Sequence, residues 1–194
     1  MTTTTTIAQT DRRIDRASPW LKRYYFARFG FSAVWVAVAF TVAKNVPALA
    51  AVMLVAYPAW DAVANFADAQ RSGGIARNRA QYLNFVVSIV TALAVAVALG
   101  IDTRCVLLVF GIWAGLSGIL QLATAVGRWK TTGAQWAMIL SGAQSALAAI
   151  FMIRTAQEAA HVGITDIAPY AGFGAFYFLV SAVSLAIRDA RRPR

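Results

Sequence analysis

Residues 82–100 read YLNFVVSIVTALAVAVALG, nineteen positions without a charged side chain. At a rise of about 1.5 Å per residue, a helix of that length crosses the roughly 30 Å hydrocarbon layer of a bilayer. Helix is the form expected, because backbone in lipid must satisfy its own hydrogen bonds. The alternation of a membrane β-barrel is absent. Working outward, five comparable runs complete a set of spans near 26–43, 48–69, 82–100, 105–126, 134–153 and 169–187. Between them lie Lys44-Asn45-Val46-Pro47, Arg71-Ser72-Gly73-Gly74, Gly100-Ile101-Asp102, Gly127-Arg128-Trp129-Lys130 and the stretch from Arg154 to Asp166, each broken by Gly, Pro or charge.

Composition agrees. The 194 residues are 59% hydrophobic and 13% charged, whereas a soluble domain carries about 25% charged and about 45–50% apolar residues. The formal net charge of +10 does not point to nucleic acid, because the cations sit in short gaps between apolar runs and form no basic patch. They sort by side. Arg12, Arg13, Arg16, Lys22, Arg23, Arg28, Arg71, Arg77, Arg79, Arg128, Lys130, Arg188, Arg191, Arg192 and Arg194 fall on one side of the expected membrane. Only Lys44, Arg104 and Arg154 fall on the other. The positive-inside rule then places both termini in the cytoplasm, which requires an even number of spans. The same cations favour anionic lipid at the cytoplasmic face.

The expected organisation is a polar, disordered tail over 1–17, one six-helix transmembrane domain over 18–188, and a basic tail over 189–194. Ser18-Pro19 reads as a helix start. The mixture of rings and cations in Trp20-Leu21-Lys22-Arg23-Tyr24-Tyr25-Phe26 suits a membrane interface. No secretory signal is read at the start, so the first apolar run is expected to be a retained span. Cys105 is the single cysteine, and no Cys/His set suggests a metal.

The chain also repeats itself, at a period of roughly 53–63 residues, the size of a helix pair. Tyr57-Pro58-Ala59-Trp60 aligns with Phe110-Gly111-Ile112-Trp113 and with Phe173-Gly174-Ala175-Phe176. Three helix pairs that all start and finish on one side would be parallel repeats, unlike the inverted repeats of many transporters. Tyr57-Pro58-Ala59-Trp60-Asp61-Ala62 and Gly111-Ile112-Trp113-Ala114-Gly115-Leu116-Ser117-Gly118-Ile119 resemble motifs of the HdeD-like acid-resistance membrane proteins. Pro58 and Ala62 depart from that pattern. The resemblance spans about residues 24–188. It implies a bacterial inner-membrane protein linked in some members to acid stress, with no catalytic residues to carry over.

Asp61 is the most informative single residue. It lies ten positions before Arg71, about 15 Å along the helix, where an ionised carboxylate costs about 3 kcal/mol or more to insert. Tyr57, Asp61, Asn65 and Asp68 form a polar stripe on one helix. Gln121 on the fourth span, with Asn84, Ser88 and Thr91 on the third, could complete an intramembrane site, as could Gln144 and Ser145 on the fifth. Either the stripe ends a hydrated path for protons or ions, or Asp61 is interhelical glue. With no buried cation expected beside it, a coupled pump is disfavoured. Gly111, Gly115 and Gly118 make a smooth face for close helix packing, within the chain or against another copy or membrane protein. His161, in the expected long external loop, reads as an ordinary exposed loop residue, and on the sharper reading as an imidazole that would sense outside acidity.

No GxSxG, HExxH or P-loop occurs, so an enzyme is not expected; nor is a cofactor or a metal. Three functions remain in view: a non-enzymatic inner-membrane protein contributing to acid or envelope stress tolerance, a small transporter or proton-conducting protein using Asp61, and a membrane scaffold.

Overall fold

The computed structural model of the protein describes residues 19–71, 74, 76, 79–128, 136–159 and 161–191. The expected tail over 1–17 and residues 192–194 lie outside the described residues, as do residues 129–135. Among the described residues there are six α-helices and no strand: α1 Pro19–Thr41, α2 Pro47–Arg71, α3 Arg79–Ala98, α4 Thr103–Arg128, α5 Trp136–Glu158 and α6 Ile164–Ala190. A 3-10 turn, Ala43–Asn45, joins α1 to α2.

Five of the six, α2 to α6, are long and apolar enough to cross a membrane. The exception is α1, whose first turns spend their length on Lys22, Arg23 and Arg28. Side chains such as Val97, Leu147 and Phe151 are each 67% exposed, which is how a helix presents itself to lipid.

The expected break from Arg154 to Asp166 is largely helical. α5 continues to Glu158, and α6 begins at Ile164. The Gly163 amide donates to the Asp166 carboxylate at 2.8 Å, capping α6 five residues before the expected span start. His161 is therefore in a short connection and not a long loop. α2 runs unbroken through Pro58, although that ring removes a donor to the Leu54 carbonyl. Pro58 is fully buried.

α2 packs along α3, α4 along α5, and α6 returns to pack along α1; α3 also touches α4. The closest approach is between α4 and α5. A Cβ on Gly118 would sit 2.7 Å from the Gly142 carbonyl oxygen, and one on Gly111 would sit 3.0 Å from the Ile153 Cγ1. Gly115 faces Ala149. The three glycines thus form the α4 side of a contact within the chain, and it works because both backbones lack obstruction.

The connections at 42–46, 99–102 and 159–163 gather at one end. The apolar core fills the half of the bundle below them, with Ala39, Leu54, Val95, Phe110, Met152 and Ile167 all buried. Trp35 locks this half, its indole N–H donating to the Met53 carbonyl at 2.8 Å.

Those six core positions also recur in sequence, 56 or 57 residues apart: Ala39, Val95 and Met152 on the odd helices, and Leu54, Phe110 and Ile167 on the even ones. Pro58, Ala114 and Ala171 follow the same spacing and are buried as well. The aromatic pairs aligned above do not share an environment. Tyr57, Phe110 and Trp113 are buried, while Phe173 is 54% and Phe176 57% exposed. The two alignments differ by a slip of three residues, nearly one helical turn, and the buried residues follow the spacing of 56 or 57.

Candidate functional site

Below the packed half, the same helices surround a cavity of about 210 Å³. Its ceiling is a set of three rings, one from each even helix. Tyr57 and Trp113 meet edge to face at 6.0 Å, and Trp113 and Tyr170 at 6.1 Å. These residues are again 56 and 57 positions apart. One turn further along each even helix, the wall is Asp61, Ser117 and Gly174; a turn beyond that, it is Asn65, Gln121 and Phe178. The odd helices contribute at the same spacing, through Arg28, Asn84 and Ser141.

Asp61 is bound on every side. The Arg28 guanidinium donates to one carboxylate oxygen. The other oxygen accepts from the Asn65 amide at 2.8 Å and the Ser88 hydroxyl at 2.7 Å. Helices α1, α2 and α3 are tied together at this one carboxylate. Arg28 is buried too, its side chain 13% exposed. A second guanidinium N–H donates to the Tyr24 hydroxyl at 2.9 Å, and the guanidinium carbon lies over the Phe178 ring, 4.2 Å from its centroid, a cation–π contact. Burial raises the Tyr24 phenol above its ordinary titration range, and Arg28 partly offsets this.

Arg28 corrects the sequence reading in two ways. It is no cytoplasmic surface cation, and Asp61 does have a buried basic partner. The signal was available in principle, since Arg28 stands 56 residues before Asn84, a residue already recognised as polar and intramembrane.

Of the residues expected to form the site, Tyr57, Asp61, Asn65 and Gln121 all reach the cavity. Asp68 does not. It lies nearer the helix end and accepts from Gln81 of α3 at 3.1 Å. Gln144 and Ser145 of α5 reach the cavity, whereas Thr91 turns back to the Val87 carbonyl at 2.8 Å. Tyr170 and Gly174 were missed, because a tyrosine near a span end resembles an interfacial ring and a glycine resembles a packing residue. Toward the connecting end a second, mainly apolar hollow of about 220 Å³ lies among Ala43, Pro47, Leu99 and Ile164, and it shares no lining residue with the first.

The arrangement offers hydrogen bonds and a self-neutralised ion pair in low-dielectric surroundings. No curated protein and no solved structure matches the chain. Residues 86–154, from within α3 to near the end of α5, match the family described as a short repeat of unknown function (DUF308), the repeat that HdeD-like acid-resistance membrane proteins carry.

Proposed function

We propose that the chain is a six-span protein of the bacterial inner membrane, with both ends cytoplasmic, built as three parallel helix-pair repeats and acting without enzymatic chemistry in acid or envelope stress tolerance. The observation that carries the functional part is the DUF308 match over residues 86–154. The topology is supported by the distribution of cations: moving Arg28 into the bundle leaves the bias toward the tail-bearing side intact. The repeat is supported by buried residues recurring at 56 or 57 positions. A deletion strain should survive acid or another envelope stress less well than the same strain carrying the gene. Equal survival across those stresses would remove the stress role.

A small transporter or proton-conducting protein is the second reading, favoured by the polar cavity that reaches Asp61. The carboxylate's three donors, Arg28, Asn65 and Ser88, weigh against it, because they hold the charged form and a proton carrier needs a change of partner. Proteoliposomes should then show flux that Asp61→Asn abolishes; the same flux with the variant would end this reading.

A further inference from the structure

The three sets of equivalent wall positions differ in a graded way. The first repeat places Arg28 and Asp61 there, the second Asn84 and Ser117, and the third Ser141 and Gly174. Side-chain volume and polarity fall together along that series. The cavity lies among all three sets, and the smallest of them is Ser141 with Gly174.

We propose that this space is a binding site for a small uncharged polyol. The two charges in the wall neutralise each other and are held by Tyr24, Asn65 and Ser88, so no net charge selects an ion. What remains is amide and hydroxyl, which donate and accept alike. Gln121, on the wall, has a buried amide oxygen with no partner among the described residues. Trp113 and Tyr170 supply apolar faces for the C–H side of a polyol. An apolar cavity of about 150 Å³ takes up benzene, so a cavity of about 210 Å³ has room for a solute of roughly six to eight heavy atoms. The Tyr57, Trp113 and Tyr170 rings and the core above them close the site toward the connecting end, so the solute enters and leaves from the opposite end. The inference rests on the cavity alone and stands or falls separately from the stress role.

The test uses the full chain in lipid nanodiscs and radiolabelled erythritol. Saturable binding is expected, displaced by glycerol but not by acetate or methylammonium. The double substitution Ser141→Asn and Gly174→Ser gives the third repeat the residues that the second already carries. A Cβ at Gly174 would meet only the Tyr57 hydroxyl, at 3.5 Å, so the variant should keep the wild-type melting temperature while binding erythritol roughly tenfold more weakly or not at all. Gln121→Leu is an independent variant that removes an acceptor without filling the space, and should weaken binding by about three- to tenfold. Absence of saturable erythritol binding would mean the space holds only water and would overturn the proposal. So would unchanged binding in both variants, or displacement by acetate or methylammonium as potent as that by glycerol.

Discussion

At the connecting end, the six helices touch through Ala39, Leu54, Val95, Phe110, Met152 and Ile167, and the three symmetry-like positions in each set carry similar apolar side chains. At the other end, the same helices stand around about 210 Å³ of polar space, and the equivalent positions carry an ion pair, an amide with a hydroxyl, and a hydroxyl with a glycine. The packed half shows how a membrane bundle is held together. Lipid is as apolar as leucine, so close contact, and not escape from water, does the work there.

Substitutions can test that contrast, beginning with the largest effect. Arg28→Ala leaves Asp61 buried without its cation and should cost about 3–5 kcal/mol in a detergent unfolding titration. Arg28→Met with Asp61→Leu should recover most of that loss, since a well-packed apolar pair often equals a buried ion pair. If the double variant were as unstable as the single one, the pair would be more than a clamp. In the packed half, Phe110→Ala should cost about 3 kcal/mol by the same titration. A much smaller loss would show that this half is looser than its burial suggests. Gly118→Ala drives a Cβ against the Gly142 backbone and should cost about 1–3 kcal/mol. Gly172→Ala has nothing within 4 Å of the new atom and should be neutral or gain about 0.5–1 kcal/mol of helix propensity. Equal effects from the two would remove the α4–α5 contact as the reason. The smallest loss belongs to Lys22→Ala, which breaks the 2.9 Å pair with Asp189 between α1 and α6. Both partners are about one-third exposed, so the expected loss is about 0.5 kcal/mol and fades in high salt.

The helices were legible in the sequence because continuous apolar runs have few other outcomes at this length. The stripe of Tyr57, Asp61 and Asn65 was legible because side chains four apart share a helix face. Asp68 shares that face and still misses the cavity, since a stripe gives direction and not depth. Arg28 was misread for a related reason. Near a span end, an arginine that snorkels to the interface and one that turns inward have the same sequence context, and only the partner decides. The connection around His161 was drawn too long because Arg154 and Glu158 look like loop residues, although long charged side chains at a helix end reach water without ending the helix. The cavity itself was not legible. Its wall includes Ser141 and Gly174, and small residues in an apolar run read as packing.

The level of the ion pair carries one more consequence. Arg28 stands nine residues from the start of α1, and Asp61 ten residues from the end of α2, and the two charges are bound to each other. In a membrane, moving one charge through a 100 mV potential involves about 2.3 kcal/mol. A bound pair that moves as one unit carries no net charge through that field, so membrane voltage should have little to grip in this pair.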